Sequence, residues 1–175
     1  MKKNKINNKG KVFWITGFSG SGKTEIAKSI KPYIVKKYGK TILISGDNLR
    51  HIFSLYKYDK KNRIKYALSY SHFCKFISDQ GINVIIATVS LFNKIRLWNK
   101  RNIKRYVEIY IDTKLSNIIS FNKKKEVYKN KKNIIGKNIK AELPINPNIK
   151  ISNDFSKSTK ELSKELIKII NKKYK

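Results

Sequence analysis

Eight consecutive residues, Gly17-Phe18-Ser19-Gly20-Ser21-Gly22-Lys23-Thr24, follow the pattern G-x-x-x-x-G-K-[ST]. That spacing suits phosphate. Glycines let a tight loop turn its backbone N–H groups inward around phosphate oxygens, and a helix starting there adds the positive end of its dipole. A lysine at the place of Lys23 reaches the β- and γ-phosphates, and a hydroxyl at the place of Thr24 offers an oxygen to Mg²⁺. Gly17, Ser19, Gly20, Ser21, Gly22, Lys23 and Thr24 are therefore the candidate nucleoside-triphosphate site, with Lys23 the candidate catalytic residue and Thr24 the candidate metal ligand. A bare glycine turn is the plain alternative. It would not need the apolar run before this loop or the helical pattern after it.

A second cluster, Gly46-Asp47-Asn48-Leu49-Arg50-His51, directly follows another apolar run. Asp47 can accept a proton from an attacking hydroxyl, hold Mg²⁺, or do both. Arg50 and Arg63 can clamp an acceptor's phosphates, because guanidinium binds them in a two-pronged fashion. The competing reading makes Asp47 a helix N-cap and the arginines surface residues. Ser90 follows a third apolar run and is read as a hydrogen-bonding serine rather than a phosphoenzyme site. His51 and His72 lack neighbours at metal-ligand spacing and read as helix-surface or half-buried residues. Cys74, Trp14 and Trp98 read as packing residues.

The elements that must position these groups alternate. Apolar runs at 11–16, 41–45, 83–89 and 106–112 read as buried strands, and 149–151 as a short last one. Ile26, Ile30, Ile34 and Tyr38 recur every fourth residue, which predicts a helix over 24–38 with Pro32 as a kink. Further helices are expected over 62–79, ended by Gly81, from about Thr113, and over 158–174. Residues 122–147, polar and lysine-rich, read as one long mobile loop. Strands alternating with helices imply an α/β fold, a parallel sheet with helices on both faces, whose ligands bind at the carboxyl ends of the strands.

The chain has 175 residues, with 41 Lys and Arg against 11 Asp and Glu, a net charge of +30. One domain is expected over 12–175, preceded by a basic tail over 1–11. The charge points to anionic partners. Its make-up, 36 lysines to 5 arginines beside 28 isoleucines and 18 asparagines, is also what A/T-rich codons produce. Scattered lysines do not favour a base-reading nucleic-acid surface, where arginine forks dominate. No apolar stretch is long enough to span a membrane. Glycines interrupt the only run resembling a secretory signal, and a single cysteine fits a reducing cytoplasm.

Phe13-Trp14-Ile15-Thr16 leading into the Gly17–Thr24 loop, followed by Gly46-Asp47-Asn48-Leu49-Arg50-His51, resembles the adenylylsulfate kinase family. Weaker matches follow in order: Arg63; Ser90 with Phe92; Val107-Glu108-Ile109-Tyr110-Ile111-Asp112; Tyr128-Lys129; Lys132-Asn133 with Gly136; and Pro144 with Asn146-Pro147. The resemblance implies a P-loop kinase fold with a lid over about 122–147. It implies phosphoryl transfer from ATP, with Mg²⁺, to the ribose 3′-hydroxyl of a small-molecule nucleotide, and it leaves a homodimer open. By the same resemblance Asp47 activates the acceptor, Arg50, Arg63 and Lys132 bind it, and Ser90 holds the family's phosphoserine-type position.

The donor half of the pattern is intact and the acceptor half is altered. Ile134 stands where the family carries a lid phenylalanine that stacks on adenine. Tyr66, Leu68 and Ser69 replace Asn and Arg after Arg63, and Phe121 replaces an arginine near the ATP base. Two acceptors therefore compete: adenylyl sulfate, and CDP-phosphoramidate as in the cytidine diphosphoramidate kinase branch. A third reading, of another class, is an inactive module that binds nucleotide or RNA.

Overall fold

The computed structural model describes residues 9–121, 125–130 and 132–174. Five strands, β1 (Val12–Thr16), β2 (Thr41–Ser45), β3 (Asn83–Thr88), β4 (Tyr106–Asp112) and β5 (Ile149–Ser152), form one sheet in the order β2-β3-β1-β4-β5. Every pairing is parallel. Each falls within a residue or two of the run that predicted it. The helices are α1 (Lys23–Tyr38), α2 (Gly46–Ile52), α3 (Lys60–Asp79), α4 (Asn93–Asn102), α5 (Leu115–Phe121), α6 (Lys125–Asn130) and α7 (Thr159–Lys173).

The two-residue period of the central strand builds both sides of the core. Val12 and Trp14 of β1 join the cluster under α3 and α4, while Phe13 and Ile15 join the cluster under α1 and α7. The four-residue repeat of α1 does what its spacing predicted: Ile26, Ile30 and Ile34 are buried against the second face. Each such side chain contributes roughly 1.5–3 kcal/mol by leaving water. Cys74 is fully buried, and burial pushes its thiol up, beyond any useful nucleophilic range. It is a core residue, as expected, and Trp14 is too.

Several expectations are corrected. Helix α1 runs unbroken through Pro32, which lies on its exposed side, where the loss of one N–H leaves a solvent-facing carbonyl rather than a buried one. Lys9–Lys11 belong to the folded body, not to a tail. Gly10 N–H donates to Ser78 O at 2.7 Å, Lys9 pairs with Asp79 at 2.8 Å, and Lys11 is buried. Residues 1–8 lie outside the described residues. The stretch 122–147 is not one loop: it contains α6 and a tight turn bridged between Ile135 and Ile139. Helix α4 was not expected from the sequence, because two of its inward positions are polar. Arg96 and Asn99 are both buried there. Arg96 is tolerated inside because it bonds Asn93 and Leu143 O and sits 3.8 Å from Glu108.

Candidate functional site

The carboxyl ends of β1, β2 and β3 open into a cleft of about 820 Å³. The Gly17–Thr24 loop forms its floor, between β1 and α1. Gly22 takes φ +85° as the residue before α1, a left-handed conformation that favours glycine, and no side chain caps the helix. Ser19, Gly20, Gly22, Lys23 and Thr24 line the cleft. Gly17 and Ser21 are buried beneath it and shape the loop. Lys23 Nζ donates to Phe18 O at 2.6 Å and to Ser21 Oγ at 3.4 Å.

Two residues unforeseen in the sequence brace this loop. Asn153, just past β5, donates to Ser21 O at 3.2 Å. The hydroxyl of Tyr128 in α6 donates to Ser19 O at 2.9 Å from a side chain that is almost wholly buried. Asn153 had one signal, its place at the carboxyl end of a strand. Tyr128 had none beyond its match to the family.

Asp47 lies on the second wall. It does not cap α2: the cap is Ser45, whose side chain accepts from Asn48 N–H at 3.1 Å. The capping reading of Asp47 is therefore set aside. Its side chain is 94% exposed and meets Arg50 Nη2 at 3.3 Å. The carboxylate is thus poised at the cleft rather than consumed by the fold. Arg50 and Arg63 both sit over the ring of Tyr58, each 5.2 Å from its centre. Burial, and next the neighbouring Arg50 charge, lower the Arg63 pKa from its ordinary value. Tyr56 and Tyr58 also line the cleft and are largely exposed.

The turn at 132–139 supplies the third wall through Lys132, Asn133, Ile134 and Ile135. Gly136 holds φ +94°, and any Cβ there would lie 2.6 Å from the Phe18 ring. The phosphate loop and this turn therefore touch directly. Of the residues expected at the site, Lys23, Thr24, Asp47, Arg50, Arg63 and Lys132 converge on one cleft. Ser90 does not. Its side chain is fully buried beside Leu91 and Phe92, its hydroxyl has no hydrogen-bond partner among the described residues, and Thr88 and Val89 face the cleft instead. His51 and His72 are exposed, and no group of three or more acidic, histidine or cysteine side chains among the described residues could hold a metal. A hard cation would thus rely on few protein oxygens, Thr24 and Asp47, with the rest from phosphate and water, which suits Mg²⁺.

A sequence profile of the adenylylsulphate kinase family matches residues 9–152. This chain belongs to that family. Cytidine diphosphoramidate kinase of Campylobacter jejuni is 37% identical over 143 residues, covering 79% of this chain and 84% of that one. Adenylyl-sulfate kinase of Clostridium kluyveri is 30% identical over 162 residues, covering 89% and 81%. Among solved structures, the APS kinase of Mycobacterium tuberculosis in complex with AMPPNP and APS superposes with a TM-score of 0.81 at 24% identity, covering 93% of this chain and 98% of that one. The fold expected from the sequence, a P-loop kinase with an all-parallel sheet, is thereby shown, and so is membership among kinases, which are phosphotransferases. No helix among the described residues is long and apolar enough to cross a membrane.

Proposed function

We propose that this protein transfers the γ-phosphoryl of ATP to the ribose 3′-hydroxyl of a nucleotide anhydride, adenylyl sulfate being the first candidate acceptor. The observation that carries this reading is that Lys23 and Thr24 of the phosphate loop share one cleft with Asp47, an exposed acid that caps no helix and pairs with Arg50. ATP lies along Gly17–Thr24, with its β- and γ-phosphates at Lys23. The acceptor lies between Asp47, Arg50 and the 132–139 turn.

The reaction makes one bond and breaks one. The 3′-oxygen bonds to the γ-phosphorus, the bridging oxygen to the β-phosphate leaves with ADP, and the hydroxyl proton passes to the Asp47 carboxylate. Lys23 turns from the carbonyl of Phe18 to the phosphates, where its charge offsets the charge that develops in transfer. Thr24 and Asp47 would hold Mg²⁺, which supplies further charge neutralisation on the phosphates when bound. Catalysis of this kind comes from alignment and electrostatics rather than covalent chemistry with the protein.

A specific observation favours a second acceptor. Ile134 is almost buried and faces the cleft with a branched aliphatic surface rather than a ring. A base meeting it loses aromatic stacking, worth ~1–3 kcal/mol per base in other settings. The 37% identical relative acts, by its name, on cytidine diphosphoramidate. CDP-phosphoramidate is therefore the second reading. Incubating the protein with ATP, Mg²⁺ and each acceptor, with products located by ³¹P NMR, decides between them. Transfer to the 3′-position of one acceptor supports that reading. ATP consumption with neither overturns both, and steeply salt-dependent RNA binding without transfer points to the binding module.

A further inference from the structure

Arg63 stands in the first turn of α3, and one edge of its guanidinium, Nε and Nη2, is bonded within the protein. Nε donates to Tyr58 O at 2.8 Å and to Asn133 O at 3.1 Å, and Nη2 donates to the same Asn133 carbonyl at 2.9 Å. Asn133 lies 70 residues along the chain and holds φ +59°, a left-handed turn conformation that asparagine tolerates. From there the chain closes a tight turn. Gly136 N–H donates to Ile139 O at 2.8 Å, and the N–H groups of Asn138 and Ile139 donate to Ile134 O at 3.0 Å. The far side of the turn rests on Phe18 through Gly136, and Lys137 Nζ reaches back to Tyr128 O and Lys129 O. Arg63 is thus the tie from α3 to a turn whose other supports belong to the phosphate loop and α6.

We propose that Arg63 is a positioning residue that fixes the 132–139 turn against α3, so placing Lys132 and Ile134 at the cleft. The tie stands on geometry, and its kinetic consequence rests on the kinase reading given above. The N–H groups that grip the Asn133 carbonyl hold the turn, and the rest of the guanidinium stays at the cleft that Arg63 lines.

The test is amide hydrogen exchange over residues 132–140, read by mass spectrometry on protein without nucleotide. Arg63→Met keeps the apolar stem over Tyr58 and removes the donors. Loss of a forked, charge-assisted bond to the turn should speed exchange there by about tenfold or more, while Arg50→Ala changes it by less than about twofold. Exchange in Arg63→Met that matches the wild type overturns the proposal, whatever the acceptor proves to be. Should that variant not fold, Arg63→Lys carries the test, because an ammonium makes one unforked bond. It should exchange about threefold faster than wild type, and unchanged exchange overturns the proposal. With an acceptor that is phosphorylated, Arg50→Ala should raise KM alone, and Arg63→Met should also lower kcat. A rise in KM alone for Arg63→Met, with exchange unmoved, assigns Arg63 to the acceptor's phosphates instead.

Discussion

Asp47 and Lys23 differ in how the fold treats them. Lys23 is buried and bonded into its own loop, so its removal acts on the loop as well as on the proposed phosphate contact. Asp47 is exposed and caps nothing, so its removal leaves the fold intact. Asp47→Ala is expected to lower kcat by about 100-fold or more, the usual scale for a general base, with an unchanged circular dichroism spectrum. Lys23→Ala should lower it at least as far, about 100-fold or more, as loss of a charge aimed at a developing anion does. Steady-state assays with the identified acceptor check both, and near-normal turnover in Asp47→Ala removes that residue from the mechanism. Gly136 makes a separate prediction. A methyl there meets the Phe18 ring, and φ +94° strains any L side chain. Gly136→Ala should cost about 1–3 kcal/mol in a urea titration, and it should raise KM for ATP, since the same ring belongs to the phosphate loop.

Among the elements, α3 carries Arg63 and begins at an N-cap. The Asp59 carboxylate accepts from Asn62 N–H at 3.0 Å and also from the Asn62 side chain, and these bonds, the side-chain one first, hold its pKa below the usual value. A carboxyl with a lowered folded pKa adds stability above its unfolded pKa and loses it as pH falls through the folded one. Asp59→Ala should therefore melt below wild type at neutral pH, and the gap should close as the pH drops below about 3.5. A gap independent of pH would show that the carboxylate is not the source. Helix α7 begins with a stronger signal, a capping box in which Ser158 and Glu161 bond each other's backbone. That signal lies in the sequence, which is why this helix starts one residue from where its pattern predicted.

For the molecule as a whole, the main electrostatic liability is Glu108 in β4. Both its oxygens are buried without a hydrogen bond among the described residues, and Arg96 and Lys100 lie 3.8 and 3.9 Å away. Burial outweighs those charges and raises its pKa above the usual 4.5. A group with a raised folded pKa contributes its stability below the unfolded value and loses it as pH climbs through the folded one. Wild type should therefore lose stability relative to Glu108→Gln as pH rises from about 4.5 toward neutrality. Urea midpoints of the two proteins across that range supply the measurement, and parallel curves would refute the assignment. Among the described residues, many lysines lie on exposed helix faces.

The sequence alone determined what depends on short-range order. Strand runs, the four-residue repeat of α1, the glycine spacing of the phosphate loop and the placing of Asp47 after β2 are local patterns, and a parallel sheet must then bring its strand outlets together. Tertiary structure decided what depends on partners far along the chain. Helix α4 hides behind polar residues whose partners lie elsewhere in the chain: Arg96 meets Glu108 and Leu143 O, and Asn99 meets the Tyr106 hydroxyl. Ser90 reads as a site residue, yet two residues past the end of β3 its side chain is buried while Thr88 and Val89 line the cleft. Asn153 and Tyr128 brace the phosphate loop across 132 and 109 residues of chain. Arg63 reads as a phosphate ligand and lines the cleft, and a carbonyl 70 residues away also takes bonds from its Nε and Nη2, which the sequence does not announce. No local pattern encodes such pairings, because their energy appears only once the sheet has formed and the loops have closed over it.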